Sequence, residues 1–513
     1  MAQPASIAWF ARHELRHAWR DWLAMATGGK RIRGIVLALT LGLFALGLHW
    51  LANVLIEPWA ARGIVPDMET LVLITGGGLL FWTVMLSQAL ESVTRAYYGR
   101  SDLDLILSSP ASSRRLFAVR TGAIAITTIG LACLLASPML DILALRAGPQ
   151  WLAAYGVLAS LGALATAISV LVTIGLFRIF GPKRTRLLAQ IIAGVVGAGF
   201  VIGIQAAAIL AYGNMSRFAI LQSAELVAAA PDLSSPLWWP ARAAMGDFVS
   251  LAAIALLGFG SLASVIAATS SSFGRLATAA VGVSRTAGRQ CRRTSFRHSS
   301  QKQALRLKEW NLLARDPWLL SQTLMQILYL LPPALLLWVN YGESTGIFVV
   351  VVPVLVMAAG QLAGGLAWLA ISGEDAHDLV VTAPVSPRTV LSAKIEAVLT
   401  VLALILLPLL LLIAASSIEV ALVTGLGGAL AAGSATAIQL WFRTPMRRSM
   451  FRRRQVASRM ATISEAFASI MWAGTAALLV VGSWIALVAV VPALIALGVL
   501  GLAWALSPKG KVS

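Results

Sequence analysis

Acidic residues recur at matched positions in two segments of the sequence, and the chemistry they offer is recognition by charge. Residues 99–120 and 373–394 align without a gap at an offset of 274, and six of the 22 positions are identical. Random pairing at ordinary composition gives roughly one or two identities. The residues that form the two copies are Asp102, Asp104, Leu105, Pro110, Ser112 and Arg114, and then Asp375, Asp378, Leu379, Pro384, Ser386 and Arg388. Two equal acidic patches suit a partner with two-fold symmetry, because each of its sites presents the same surface.

Motifs for catalysis or nucleotide binding do not occur in the sequence. The segment Gly28-Gly29-Lys30 is the nearest to a phosphate-binding loop, and it lacks the glycine-rich turn that would cradle phosphates. The two cysteines, Cys133 and Cys291, have the spacing of neither a disulfide framework nor a zinc site. We therefore expect no enzyme activity, no metal and no cofactor in this chain.

The elements that must position the two acidic segments are membrane-spanning helices. The 513 residues are 58% hydrophobic and only 12% charged, with a mean hydropathy of +0.83, whereas about 25% charged is usual for soluble domains. Apolar runs long enough to cross about 30 Å of hydrocarbon as helices occur at 34–56, 69–93, 119–145, 151–178, 187–213, 249–272, 319–339, 346–371, 395–415, 419–442, 461–481 and 484–506. The fold class predicted is an all-α polytopic membrane protein with about 12 transmembrane helices.

The net charge of +19 is explained by membrane orientation. Lys and Arg accumulate in cytoplasmic loops, so we place both termini in the cytoplasm, in the cell inner (plasma) membrane. Cytoplasmic segments then hold 36 of the 40 basic residues, and the outer segments hold only Arg62, Arg146, Arg217 and Arg242. No nucleic-acid partner is needed to explain the charge. The basic stretches 285–315 and 443–459 could additionally bind anionic membrane lipids.

The chain is predicted to consist of two tandem halves. Beside the acidic segments, two further landmarks recur in the same order: Glu14, Arg20 and Asp21 match Glu309, Arg315 and Asp316 at a constant offset of 295, and Phe177-Arg178 resembles Phe442-Arg443. We expect six spans in each half, 1–280 with an N-terminal interfacial helix and 304–513, joined by a basic cytoplasmic linker at 281–303. An even number of crossings gives both halves the same orientation, so a pseudo-two-fold axis along the membrane normal should relate them.

The repeated segments lie in the loops between the second and third spans of each half, on the cytoplasmic side. Residues 102–107 could form a short amphipathic helix. Ser109-Pro110 then resembles an N-cap followed by proline in the first helical turn, and Ala383-Pro384 keeps only the proline. We expect Pro110 and Pro384 to begin the next helices, with Arg114 and Arg388 at headgroup level.

These features resemble the permease subunits of ATP-binding-cassette exporters, of the ABC-2-like type, with two six-span halves fused in one chain. The likeness rests on Asp-Leu followed by Ser/Ala-Pro-x-Ser-x-Arg in each half. It implies that residues 100–107 and 374–381 are coupling helices that dock on a separate ATPase subunit, in two copies. ATP and Mg²⁺ would then be bound by that partner and not by this chain.

Charged and polar residues inside the predicted spans are few. The acids Glu91, Asp141, Glu396, Glu419 and Glu465 all lie near predicted span ends, where their side chains can reach the interface. Glu396 and Glu465 are the best candidates for a gate carboxylate. His49, Asn53 and Gln439 are expected to form hydrogen bonds between helices, and Gly360-x-x-x-Gly364 is expected to pack closely against a neighbour.

Three functions remain open from the sequence. The first is the permease component of an exporter that moves an amphiphilic substrate, such as a lipid or peptide, with energy from a separate ATPase. The second is an ion-coupled secondary transporter of twelve spans, and the third is a membrane assembly factor that transports nothing. The apolar walls do not identify the substrate.

Overall fold

The structure is a computed structural model that describes most of the chain. The described residues are 31–98, 113–212, 223–271, 300–315, 317–339, 346–372, 382–442 and 459–507, together with Arg12, Arg16, Arg20 and Val380. All regular secondary structure within these ranges is helical.

The chain divides into two compact units. The first contains the described parts of residues 1–201 and 217–288, and the second contains those of 202–216 and 289–513. The first group of helices is α1 (Arg31–Arg62), α2 (Met68–Tyr98), α3 (Ser113–Ala147), α4 (Ala153–Tyr212, whose residues from Ile202 belong to the second unit), α5 (Ala224–Ala228), α6 (Trp239–Ala244) and α7 (Phe248–Thr269). The second group is α8 (Gln301–Arg315), α9 (Pro317–Val339), α10 (Gly346–Ser372), α11 (Pro387–Ser416), α12 (Ile418–Trp441), α13 (Arg459–Val481) and α14 (Val490–Leu506). Short 3₁₀ helices occupy Pro149–Leu152, Pro236–Trp238 and Ser483–Ala489.

Ten helical segments of the described chain are long and apolar enough to cross a membrane. They coincide with ten of the twelve predicted ranges, so the chain is a multi-pass helical membrane protein. The other two ranges, 34–56 and 319–339, fall on α1 and α9, where many side chains lie outside the description. The total of twelve crossings, the orientation and the pseudo-two-fold axis stay predictions. The predicted linker also lies outside the described residues, except for residues 300–303, where α8 begins.

The first unit is built around the first half of α4. Its small residues Ala163 and Ala167 are fully or almost fully buried and pack with Val93 of α2, Leu116 of α3 and Leu262 of α7. Hydroxyl side chains on this helix donate hydrogen bonds to carbonyls one turn earlier in the same helix. These three hydroxyl groups are thereby satisfied without water, as an apolar surrounding requires.

The predicted fourth and fifth spans are joined more closely than the sequence suggested. Helical structure runs from Ala153 to Tyr212 and is interrupted in its dihedral angles only at Gly181, with φ 72° and ψ 171°. Glycine reaches positive φ without the penalty that a Cβ atom imposes. A single residue therefore makes the break for which the sequence predicted a loop of several residues.

The centre of the second unit is a three-helix contact between α10, α12 and α13. Two glycines of α12 lie close to α10, since a Cβ atom at Gly427 would be 3.1 Å from Val356 and one at Gly428 would be 3.6 Å from Ala359. Ala431 of α12 is fully buried in the same apolar cluster as Val356. Close backbone approach through small residues is the usual way in which membrane helices associate.

The last two spans are separated by a turn at Gly482, whose φ is 71°. The chain then forms the 3₁₀ helix Ser483–Ala489, and the α-helix begins only at Val490. The last span was predicted to start at residue 484, and the α-helix starts six residues later, at Val490. The apolar segment that could cross the membrane is Ala486–Ala505.

Candidate functional site

Most of the predicted coupling residues lie outside the described residues. These are Asp102, Asp104, Leu105, Pro110 and Ser112 in the first segment, and Asp375, Asp378 and Leu379 in the second. Four predicted residues are described. Arg114, Pro384, Ser386 and Arg388 are all exposed.

The start of α11 differs from its prediction. The helix begins at Pro387 and not at Pro384, because Ser386 is its N-cap and accepts a hydrogen bond from the Thr389 backbone N–H at 3.2 Å. Proline at the first helical position costs no hydrogen bond, since that N–H would be unpaired in any case. The prediction that Pro384 starts the helix, and that this copy has lost its capping hydroxyl, was therefore wrong.

A buried ion pair lies where α8, α10 and α11 meet. Glu309 of α8 is 0% exposed, and its Oε1 accepts hydrogen bonds from Lys394 Nζ of α11 at 2.9 Å and from Lys308 Nζ at 3.1 Å. Lys394 Nζ also donates to the carbonyl of Ala370, in the last turn of α10. We call Glu309, Lys394, Lys308 and Ala370 the Glu309 cluster. It connects the helix before the predicted coupling segment, the helix after it and the polar helix α8.

An exposed ion pair runs beside the Glu309 cluster. Arg306 of α8 holds both carboxylate oxygens of Glu396 on α11, with nitrogen–oxygen distances of 2.8 and 2.9 Å. Both side chains are about half exposed, so this pair contributes little to stability compared with a buried one. The predicted gate residue Glu396 therefore lies at the surface of its unit, paired across α8 and α11.

The sequence repeat predicts a counterpart of the Glu309–Lys394 pair in the first half. Lys394 corresponds to Arg120 at the offset of 274, and Glu309 corresponds to Glu14 at the offset of 295. Arg120 is also buried, with 5% of its surface exposed. Glu14 lies outside the described residues. An acid and a base thus occupy both matched positions in each half.

Glu465, the second predicted gate residue, is half-buried between helices. Its Oε2 accepts a hydrogen bond from Gln439 Nε2 at 2.5 Å. A Cβ atom at Gly364 of α10 would lie 2.1 Å from its Oε1, so a larger residue there would displace the carboxylate. The carboxylate lies next to Gln439 of α12 and Gly364 of α10, and the prediction that Glu465 reaches the interface stays a prediction. The expectation that Gln439 bonds between helices is confirmed.

The contact between α10 and α13 extends one turn further along both helices. A Cβ atom at Gly360 would lie 2.2 Å from Ser469 Oγ, just as one at Gly364 would meet Glu465. Because residue numbers fall on one helix as they rise on the other, the helices are antiparallel. The Gly360-x-x-x-Gly364 face is therefore a close packing surface, as predicted, and the residues it receives are polar.

A second polar contact joins three helices of the first unit. His49 of α1 lies 3.3 Å from Asp141 of α3, and Tyr155 of α4 donates a hydrogen bond to the same carboxylate at 2.6 Å. Arg146 donates to Asn53 at 3.0 Å. His49 and Asn53 thus make the bonds between helices that the sequence predicted. Among the described residues no group of three or more His, Cys, Asp or Glu could hold a metal ion.

Comparison of the chain with protein-family models, with curated proteins and with solved structures finds no match. The fold alone therefore defines the class to which the chain belongs. That class is the multi-pass helical membrane proteins. The second unit of this chain contains, in addition, a buried ion pair where α8, α10 and α11 meet.

Proposed function

We propose that the chain is the permease component of an ATP-binding-cassette exporter, which moves an amphiphilic substrate with energy from a separate ATPase. The observation that carries the proposal is the acidic segment repeated at the same place in both halves. A dimeric ATPase offers two equivalent docking sites, and the two segments would fill them.

The Glu309 cluster supplies a way for docking to move helices. The predicted coupling segment lies between the ends of α10 and α11, and Lys394 ties both ends to α8 through Glu309 and the Ala370 carbonyl. A buried ion pair resists separation, because each charge would lose its partner in a weakly polar surrounding. A displacement of the segment is therefore passed to all three helices together.

Affinity purification and charge reversal test the proposal. The solubilised chain is expected to carry an ATPase with a phosphate-binding loop. Asp104→Arg combined with Asp378→Arg is expected to release the ATPase, because both segments would then carry a positive charge where the proposed docking site recognises a negative one. Asp232→Arg, an exposed acid on the predicted outer face, is the matched control. Retention of the ATPase and of transport by the double variant would remove the support for docking through these loops.

An ion-coupled transporter is the second candidate, and the half-buried carboxylate of Glu465 between α10, α12 and α13 favours it. Ionisable groups inside membrane bundles are costly and often mark ion or proton paths. The two candidates differ in their energy source. Transport by proteoliposomes that continues without ATP, stops when the proton gradient is dissipated and is lost in Glu465→Gln would identify an ion-coupled transporter. Dependence on ATP and the ATPase would identify the exporter.

A further inference from the structure

Helix α1 packs on the first unit along one narrow face, mainly against α3. His49, Ala52, Asn53 and Ile56 lie three or four residues apart and therefore on one side of the helix. Among the described side chains of α1, only Ala52 and Ile56 are buried, whereas the neighbouring Trp50 is 68% exposed. Because the apolar contact is small, the polar contacts of His49 and Asn53 make up much of what holds α1 in place.

The hydrogen bonds of His49 determine where its ring carries a proton. Nδ1 lies 2.8 Å from the Ala45 carbonyl oxygen, and a carbonyl only accepts, so Nδ1 is the protonated nitrogen. Nε2 lies 3.3 Å from Asp141 Oδ2. In a neutral imidazole with its proton on Nδ1, Nε2 is an acceptor, and an ionised carboxylate is an acceptor too. The contact between them therefore needs one more proton, on either the imidazole or the carboxylate.

The groups around this pair leave that proton to His49 and Asp141. Tyr155 of α4 donates its hydroxyl to Asp141 Oδ1 at 2.6 Å, so its proton is used on the other carboxylate oxygen. Within eight residues of these three side chains on their own helices, the other ionisable residues are Arg146 and Cys133 of α3 and Glu57 of α1. Arg146 donates to Asn53 at 3.0 Å.

From these contacts we infer that His49 and Asp141 form a proton-binding site, which holds α1 against α3 while one proton is bound between them. With the proton, the pair has no net charge. Without it, two acceptors face each other at hydrogen-bond distance, and the pair carries one negative charge that a weakly polar surrounding disfavours. Release of the proton therefore breaks this contact and loosens α1 from α3.

The site is open to proton exchange near one end of the helices. The side chains of His49 and Asp141 are 32% and 42% exposed. Asp141 lies six residues before the end of α3, and Tyr155 is the third residue of α4, so the pair is close to the turn between these helices. On the predicted topology this turn is on the outer side, and the outer pH sets the occupancy of the site. The inference does not depend on the exporter function.

Distances between spin labels in the full-length chain, measured in detergent micelles, test the site. Leu55→Cys on α1 and Phe248→Cys on α7, both at exposed positions, carry the labels in a chain with Cys133 and Cys291 replaced by serine. We expect one distance population at pH 5 and a second, longer one that grows as the pH is raised to 9. Because a single proton is released by the pair as a unit, the conversion should take about two pH units.

Asp141→Asn removes the need for the bound proton. Its amide N–H can donate to His49 Nε2, while its oxygen still accepts from Tyr155, so the longer population should be absent at every pH. His49→Gln offers an amide donor from the other side and should behave in the same way. Asp232→Asn, at an exposed acid of the same unit, is the matched control and should keep the pH dependence of the native chain.

Distances in the native chain that do not change between pH 5 and pH 9 would overturn the inference, and this result needs no amide variant. So would an unaltered pH dependence in either Asp141→Asn or His49→Gln, with folding checked by size-exclusion chromatography. A longer population at every pH in both folded variants would also contradict it, because a permanent donor should replace the proton.

Discussion

Removal of Lys394 is the most informative perturbation of the second unit. Lys394→Met keeps the length of the side chain and deletes the charge that lies 2.9 Å from the fully buried Glu309. Breaking a buried pair from one side costs about 3 to 5 kcal/mol. Because Lys308 stays 3.1 Å from the same oxygen, we expect the lower end, about 3 kcal/mol of unfolding free energy.

Two companion variants separate burial from charge. Arg306→Met breaks the half-exposed pair with Glu396 and should cost less than about 1 kcal/mol. Replacing both Glu309 and Lys394 by Met should recover most of the loss, since an apolar pair of similar volume is often neutral. Equilibrium unfolding in detergent micelles, followed by tryptophan fluorescence, measures all of them. Equal costs for Lys394→Met and Arg306→Met, or no recovery in the double variant, would refute the reasoning.

The same experiment extends to the first half. The duplication predicts that Glu14 and Arg120 form the counterpart of the Glu309–Lys394 pair. Arg120→Met should then destabilise the chain, and adding Glu14→Met should restore part of the stability. If the two substitutions are simply additive, the matched positions are not a duplicated ion pair.

Further predictions concern the helix contacts and a helix cap. Gly364→Ala should lower the free energy of unfolding by about 1 to 3 kcal/mol, because its Cβ would force the Glu465 carboxylate away from Gln439. The control Gly365→Ala, with open space around its Cβ, should leave the stability unchanged. Equal unfolding midpoints of the two variants in detergent would contradict the prediction. Asp247 caps α7, and its pKa is lowered from 3.8, first by the Ser250 hydroxyl. The stabilisation that the ionised Asp247 cap gives to the folded chain is therefore complete above about pH 3.8 and is lost as the pH falls through the lower pKa of the folded state. Asp247→Asn should flatten the acid limb of a pH series of melting temperatures, and an unchanged limb would contradict the cap.

Helical spans were the most predictable feature of the sequence. Long apolar runs such as 346–371 follow from the need to satisfy every backbone hydrogen bond inside hydrocarbon, and the structure gives a helix at Gly346–Ser372. Close packing at Gly360 and Gly364 was also predictable, because small residues one helical turn apart allow backbones to approach.

The Glu309 cluster was not predicted as a site, although the sequence contains a signal for it. Glu309 lies in a polar helix of fifteen residues, where local composition indicates exposure. Only the packing of α8 against α10 and α11 buries its carboxylate. The signal was the opposite charge kept at both matched positions, Glu14 with Arg120 and Glu309 with Lys394.

Glu465 shows why distance from a span end does not decide the direction in which a side chain points. It lies six residues after the start of α13, within reach of the interface by length alone. The side chain instead points at Gly364 on a neighbouring helix. The direction that a side chain takes around a helix axis depends on which helix is next to it, and one sequence does not determine that.

The central claim is that a six-span bundle was duplicated so that both acidic segments face the cytoplasm. Single cysteines at residues 100 and 374, in a chain with Cys133 and Cys291 replaced by serine, test it with a thiol reagent that cannot cross the membrane. We predict that both react in inside-out vesicles and that neither reacts in right-side-out vesicles. Reaction of the two cysteines from opposite sides would contradict the duplication.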